Sequence, residues 1–380
     1  MYAEIIPYLL HWFEYNKRIL PWREEPTPYH VWVSEIMLQQ TRVEAVKGYY
    51  DRFLTCLPDV NALAEAEEET LLKLWEGLGY YNRVRNMQKA AKLLVEEYGG
   101  EMPADYEAIR SLPGIGDYTA GAIASIAFGL PFPAVDGNVL RVLSRITCSE
   151  DDIAKESTKK KLKEDLISVL QAEAMGKCQD RQAWKAAKDG SGNYYGDFNQ
   201  SLMELGATVC LPNGKPLCEQ CPVMHLCKAF HAGREQELPV KTGAKARRIE
   251  KRRVYVIFCE GKVLLHRREK KGLLAGLWEF PNELAEDGSK LLEAFSGVQL
   301  CRTGKTKQAK HIFSHVEWHM EGIWLEVQKP AEKESVSGIA SPDWVLATSR
   351  ELQDKYPIPS AFEAFVRELL KETGEASPEE

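Results

Sequence analysis

The hydrophobic repeat of this chain changes period once, and that change limits the folds open to it. Up to about residue 230, helical patterns are separated by Pro/Gly breaks such as "GLGYY", "YGGEMP", "LPGIGD" and "LPFPAVDGN", with little strand-like alternation. An all-helical first domain is therefore expected over 1–236. Further on, "VYVIFCEGKVLLHRRE" is β-branched around a Glu-Gly turn and "VEWHMEGIWLEV" alternates with period two. With helical stretches expected at 289–296 and 359–371, residues 254–370 form a smaller α+β domain. Between the two lies "ELPVKTGAKARRIEKRR" (237–253), where seven Lys/Arg face two acids, and it reads as a basic linker. The end of the chain, 371–380, reads as an acidic disordered tail, and the polar stretch 176–197 as an inserted surface loop.

At 380 residues the chain exceeds one ordinary domain, and a hydrophobic content of 44% allows real cores. No apolar run reaches membrane-spanning length, and "MYAEIIPYLLHWFEYNKR" interleaves charges where a secretory signal would not, so a soluble, cytoplasmic protein with no membrane partner is expected. Nine cysteines are too few for a disulfide scaffold in such a chain, and the crowding of four into 210–227 suggests a metal. The net charge of -7 argues against an indiscriminate polyanion binder, although local basic patches can override the total.

Four stretches carry chemistry. "VWVSEIMLQQTRVEAV" (31–46) reads as one helix whose apolar face is marked by Val33, Ile36, Met37, Val43 and Val46, yet Glu35 sits inside that run and Gln39 and Gln40 follow it. Burial disfavours the charged carboxylate and raises its pKa, so a carboxylate there needs an explanation; the plain one is an ion pair with a nearby cation such as Arg42. "IRSLPGIGDYTAGAIASI" (109–126) reads as a helix-hairpin-helix, with Gly114 and Gly116 flanking Ile115 in the turn and Ala120, Ile123 and Ile126 on the inner face of the second helix. Its glycines let a phosphate approach the N–H groups that open that helix; the alternative is an ordinary glycine cap. In "FPAVDGNVLRVLSR" (132–145), Asp136 reads as the N-cap of a helix bearing Val139, Val142 and Leu143. A capping carboxylate is held fixed and ionised, as stabilising a developing positive charge requires. Cys210, Cys218, Cys221 and Cys227 are spaced to hold zinc or an iron–sulfur cluster, and a single CxxC does not choose between them.

Together with "LPWR" (20–23), "WEGLGYYNRVRN", "FNQSLMELGATVC", "LLAGLWEFP" and "FSH" (313–315), these stretches resemble the MutY-type adenine DNA glycosylases of the endonuclease III, helix-hairpin-helix superfamily over nearly the whole chain. The resemblance implies an all-α helix-hairpin-helix glycosylase domain with a cysteine-ligated 4Fe-4S cluster, followed by an α+β Nudix-like domain. It implies that Glu35 is the general acid and base that protonates N7 of an extruded adenine, that Asp136 stabilises an oxocarbenium-like sugar, and that Tyr118 and Asn138 orient the pair. Trp22, Arg23, Val43 and Gln200 would line the adenine pocket. Gln39, Gln40, Leu78, Gly79, Tyr80, Gly114 and Gly116 would meet DNA, with Gln40 and Tyr80 as wedges, and Phe313, Ser314 and His315 would inspect 8-oxoguanine. The partner implied is duplex DNA carrying A:8-oxoguanine or A:G mispairs, bound by a monomer.

Bifunctional relatives carry a lysine two residues after the second hairpin glycine; here that residue is Tyr118, which cannot form a Schiff base, so base removal without efficient strand cleavage is implied. No REXXEE sequence follows "GLLAGLWEFPNELAEDG", so the second domain reads as a recognition module rather than a nucleotide hydrolase. The chain departs from the family pattern in a first cysteine interval of seven residues, where six is common, and in the longer 176–197 loop with its extra Cys178. Rival readings are an endonuclease III-like glycosylase/lyase for oxidised pyrimidines, a Nudix-type hydrolase, and a mismatch binder without catalysis.

Overall fold

The computed structural model describes residues 1–175, 192–243, 246–287, 291, 300–327 and 342–373. The chain divides into two compact units, one of residues 1–65 with 85–243, the other of 66–84 with 244–380. The "GLGYY" segment thus belongs, by its packing, with the C-terminal part of the chain.

The helices are α1 (Tyr2–Asn16), α2 (Pro21–Glu24), α3 (Pro28–Leu38), α4 (Val43–Cys56), α5 (Val60–Glu65), α6 (Glu68–Leu74), α7 (Asn82–Tyr98), α8 (Tyr106–Ser111), α9 (Asp117–Ile126), α10 (Gly137–Thr147), α11 (Glu156–Ala174) and α12 (Tyr194–Thr208). No strand precedes Arg248 among the described residues. The stretch 31–46 is two helices rather than one: α3 ends at Leu38, Gln40 turns the backbone with φ 59°, and α4 starts at Val43. The left-handed residue ends the helical hydrogen-bond ladder, so the apolar positions before and after it serve different faces. Val46 joins Tyr50 and Phe53 in the buried stripe of α4, at i, i+4 and i+7.

α3 starts where Thr27 caps it, accepting from His30 N at 3.2 Å, with Pro28 at the first helical position. It is enclosed on all sides, since Tyr29 and every residue from Val31 to Met37 are buried. α8 and α9 make the expected helix-hairpin-helix. Gly114 takes φ 79°, and a Cβ there would stand 2.7 Å from Asn86 Cβ, so turn geometry and space both require glycine. α12 packs against α1, α9 and α10 through a core that includes Leu9, Val139, Leu143, Phe198, Leu202 and Leu205. Of the expected 176–197 insertion, residues 176–191 lie outside the described residues. Tyr194–Asp197 is already the first turn of α12, capped by Asn193, whose side chain accepts from Gly196 N at 3.0 Å.

The second unit combines α6 with β1 (Arg248–Cys259), β2 (Lys262–Arg267), β3 (Trp278–Glu279), β4 (Asn282–Leu284), β5 (Leu300–Ile312), β6 (Val316–Val327) and β7 (Trp344–Ala347), in the order β3-β2-β1-β6-β5, with β4 on β1 and β7 on β2. The expected Glu-Gly turn joins β1 to β2, with φ 50° at Glu260 and 74° at Gly261. β1 and β6 run parallel from Arg248↔Val316 to Phe258↔Glu326. Because that ladder takes up the backbone of Arg248–Arg253, the second part of the basic stretch is strand and not free linker. One sheet face, with Val254, Val256, Leu265, Trp318, Met320 and Trp324, is covered through Phe362, Phe365 and Leu369. Two helices close the described chain, α13 (Ser349–Asp354) and α14 (Glu363–Thr373), the latter preceded by a 3-10 turn at Ser360–Phe362. The helix expected at 289–296 lies outside the described residues except for Leu291, as does the tail from 374. No helix among the described residues is long and apolar enough to cross a membrane.

Candidate active site

Within the first unit a pocket of about 1450 Å³ gathers Trp22, Arg23, Glu35, Gln39, Gln40, Val43, Tyr118, Asp136, Asn138 and Gln200. Six elements contribute: α2, α3, the start of α4, the start of α9, the start of α10, and α12. The volume exceeds the roughly 300–1,000 Å³ of an ordinary small-molecule pocket, leaving room for a base that is still attached to a polymer.

Glu35 is buried, and burial pushes its carboxyl up to about 7, helped by the nearby Asp136 carboxyl and opposed by the Tyr118 hydroxyl and the Arg23 guanidinium. Its hydrogen-bond partner is Tyr118, whose phenol donates to Glu35 Oε2. Glu35 makes no ion pair among the described residues, so the pairing with Arg42 does not form. A carboxyl titrating near neutrality can both give and take a proton, which is the property general acid–base catalysis needs.

Asp136 caps α10 as expected. Its Oδ1 accepts from Val139 N at 2.7 Å and its Oδ2 from Asn138 Nδ2 at 2.7 Å, so both oxygens are fixed. Burial moves this carboxyl above its ordinary value, against the pull of these two donors and of Arg141. Asn138 is itself held, since Arg141 Nη2 donates to Asn138 Oδ1 at 2.9 Å and to Gly206 O at 2.9 Å. Glycine at 206 makes this approach possible, because a Cβ there would lie 2.6 Å from Asn138 Cβ.

Sequence reasoning missed two residues of the pocket. Glu204 on α12 is fully buried; Arg18 Nε donates to its Oε1 at 2.6 Å, and Arg18 Nη2 and Arg23 Nη2 to its Oε2 at 3.0 and 2.8 Å. Burial alone would raise this carboxyl, but the two guanidinium groups more than reverse the effect and hold it below the usual range. Arg23 Nε in turn donates to Gln200 Oε1 at 3.1 Å, so the predicted pair Arg23 and Gln200 is oriented by a carboxylate outside the expected set. The signal was present: Glu204 interrupts the apolar run of α12 just as Glu35 interrupts that of α3.

The other predicted residues lie elsewhere. Gly114 and Gly116 form the α8–α9 turn, whereas Leu78, Gly79 and Tyr80 belong to the second unit. Gln40 and Tyr80, the two expected wedges, are both exposed residues with positive φ, 59° and 48°. Left-handed backbone at a residue other than glycine costs on the order of 1–2 kcal/mol and concentrates at functional sites.

Comparison with known proteins fits this geometry. Residues 33–166 match the HhH-GPD superfamily base excision DNA repair protein family, and residues 253–368 match the NUDIX domain. The adenine DNA glycosylase of Homo sapiens is 35% identical over 85% of this chain and 67% of its own length; that of Buchnera aphidicola subsp. Baizongia pistaciae is 30% identical over 84% and 86%. The chain belongs to the adenine DNA glycosylase family. A solved thermostable thymine-DNA glycosylase matches 60% of this chain and 97% of its own at 26% identity, with a TM-score of 0.49.

In this family member Cys210, Cys218, Cys221 and Cys227 line one small pocket, walled by Val142, Ile146, Leu205 and Val209, and Arg145 Nη1 donates to Cys210 Sγ at 3.2 Å. Among the described residues no three His, Cys, Asp or Glu side chains converge to hold a single metal ion. Four thiols around one cavity are a donor set that fits an iron–sulfur cluster. Phe313, Ser314 and His315 form the loop between β5 and β6. Phe313 is anchored 4.8 Å from the Trp318 ring and 4.6 Å from the His311 ring, while Ser314 and His315 are exposed.

Proposed function

We propose that this chain is a monofunctional adenine DNA glycosylase that removes adenine paired with 8-oxoguanine, and with guanine, by hydrolysing the N-glycosidic bond. The carrying observation is the Glu35 carboxyl, pushed up to about 7 by burial beside Asp136, with a tyrosine and no amine at position 118. An extruded adenine enters against Trp22, Arg23, Val43 and Gln200. Glu35 donates its proton to N7, the bond to the sugar breaks, and Asp136 faces the positive charge that develops there. Glu35, now ionised, takes the proton from the attacking water. Tyr118 keeps Glu35 in place and Asn138 keeps Asp136. Proton transfer contributes roughly 10²- to 10⁴-fold, and the fixed Asp136 carboxylate adds electrostatic stabilisation to it.

Gln40 and Tyr80 are the wedges that occupy the vacated stack, and the loop Phe313–His315 reads the opposite base. Cys210, Cys218, Cys221 and Cys227 would hold a 4Fe-4S cluster, which would supply no chemistry to a hydrolytic step and would brace the short helix Lys228–His231 that follows the last ligand. Purified without oxygen, the protein is expected to contain about four irons per chain, and stoichiometric zinc without iron would overturn this assignment. The substrate is tested on duplexes carrying A:8-oxoguanine, A:G or an oxidised pyrimidine. The expected result is a strand break at the first two that appears only after alkali, whereas direct nicking at the pyrimidine would favour the lyase reading.

A further inference from the structure

The loop that carries Tyr80 is held in an unusual shape. Gly77, Gly79 and Tyr80 all have positive φ, 96°, 67° and 48°. Trp75 Nε1 donates to Gly79 O at 3.1 Å, and Arg83 Nη2 donates to Leu78 O at 2.8 Å and Gly79 O at 3.1 Å. The Arg83 guanidinium also lies 5.3 Å from the Trp75 ring and 5.7 Å from the Tyr80 ring. These contacts lock the loop internally and leave Tyr80 49% exposed. Trp75, Leu78 and Tyr81 of the same stretch are buried.

A polar attachment to the rest of the unit comes from the end of α6 and the residues after it. Lys73 Nζ donates to Leu352 O at 3.0 Å and to Tyr356 O at 3.3 Å, at the C-terminal end of α13, where carbonyls lack helical partners and the helix dipole favours a cation. Glu76 Oε1 accepts from Ile358 N at 2.8 Å, and the Lys73 and Glu76 side chains pair at 2.5 Å. The clasped segment leads into the core of the same unit: Tyr356 packs 5.1 Å from Trp278, and Ile358 is buried. Sequence separations near 280 residues make these contacts a specific tether, since nothing local brings them about.

We propose that Lys73 and Glu76 are positioning residues, a polar clasp through which the Nudix-like domain holds the Tyr80 loop in its wedge shape, so that this domain acts on adenine extrusion as well as on reading the opposite base. The proposal rests on the reading of Tyr80 as a wedge. A loop released at its root can leave the left-handed conformation, and the wedge then no longer offsets the cost of unstacking the base.

The test compares the full-length Lys73→Ala/Glu76→Ala variant with Tyr80→Ala. Duplexes carry 2-aminopurine beside the target adenine, opposite 8-oxoguanine or guanine, and hydrogen exchange is followed at residues 75–81. The double variant is expected to exchange faster there and to lose about tenfold in extrusion and single-turnover rate, equivalent to about 1.4 kcal/mol. The loss should be equal on both duplexes, leaving their ratio unchanged, and Lys73→Arg should recover most of it. Should the double variant fail to fold, Lys73→Met, which keeps the stem and removes the donor, tests the same claim. A slow Tyr80→Ala beside a clasp variant with normal extrusion and exchange would overturn the clasp and leave the wedge standing. Normal extrusion by Tyr80→Ala would overturn the wedge reading and the clasp with it.

Discussion

Under the proposed function, the pocket around Glu35 and the loops that carry Tyr80 and Ser314 solve opposite problems. At the centre of the pocket the polar groups are held by protein: Glu35 by Tyr118, Asp136 by Val139 and Asn138, Arg23 by Gln200 and Glu204. In the loops Tyr80, Ser314 and His315 face solvent, with Ser314 Oγ only 3.3 Å from His315 Nδ1. Proton transfer needs groups that are aligned and dry before substrate arrives, because reorganisation during the reaction would raise the barrier. Reading a base needs groups that are free until the base arrives. The two regions should therefore respond differently to substitution, the first in rate and the second in preference.

The strongest break of that contrast is at the acid. Glu35→Gln keeps the shape and the contact to Tyr118 but cannot deliver the proton, so single-turnover excision should fall by at least the ~10²- to 10⁴-fold credited to proton transfer, with duplex affinity within about tenfold. Appreciable excision by this variant would remove Glu35 from the mechanism. For the parent protein the rate should fall as pH rises through about 7, where Glu35 loses its proton. It should also fall in acid, where Asp136, raised by burial, becomes neutral.

The same carboxyl should carry a cost in stability. Its folded value of about 7 lies above its ordinary 4.5, so the folded state is unpenalised below 4.5 and loses stability as pH rises through about 7. The full loss is roughly 3 kcal/mol, and Glu35→Gln escapes it. The variant should therefore unfold at a higher temperature than the parent at pH 8 and at nearly the same temperature at pH 4. Equal midpoints at both pH values would mean that Glu35 is not desolvated.

Much of the pocket was legible in the sequence because its chemistry contradicts local pattern. A carboxylate inside an apolar run, an aspartate at a helix start and four crowded cysteines are each visible without a fold. What sequence could not show was tertiary pairing. Nothing in "VWVSEIMLQQTRVEAV" announced the left-handed Gln40 that splits it, since no glycine or proline marks the turn. Glu204 interrupts its apolar run as visibly as Glu35 does, but its partners Arg18 and Arg23, more than 180 residues away in sequence, could not be read from it. The basic stretch read as linker because its alternation is masked by charge, and only the ladder with β6 shows that Arg248–Arg253 is strand.

The third prediction moves to the reading loop. 8-Oxoguanine differs from guanine by an oxygen at C8 and a hydrogen at N7, and a serine hydroxyl can both accept and donate. Changing Phe313, Ser314 and His315 together to alanine should lower the preference for A:8-oxoguanine over A:G by ~1 to 3 kcal/mol, the range for one good base-edge contact, while the maximal rate on A:G is retained. Dissociation constants and single-turnover rates on both duplexes at fixed salt decide it. An undiminished preference would place the lesion reader elsewhere and erase the proposed division between the regions.

The smallest effect tests whether the exposed loop is positioned at all. Arg247, in the basic stretch, donates from Nε to Phe313 O at 3.0 Å, and the next residue, Arg248, donates its backbone N–H to His315 O at 3.2 Å. Both ends of the reading loop are thus tied to the start of β1. Arg247→Ala removes the first tie and leaves the second, and because Arg247 is exposed, water replaces much of what is lost. The expected cost is below about 1 kcal/mol, a few-fold in the preference for A:8-oxoguanine with no change in rate on A:G. Arg247 is also a cation that can meet a phosphate, and that role has a different signature: binding to both duplexes would weaken equally, and the salt dependence of binding would become shallower. A loss confined to the 8-oxoguanine duplex identifies Arg247 as a support for Phe313, and a uniform, salt-sensitive loss identifies it as a backbone contact.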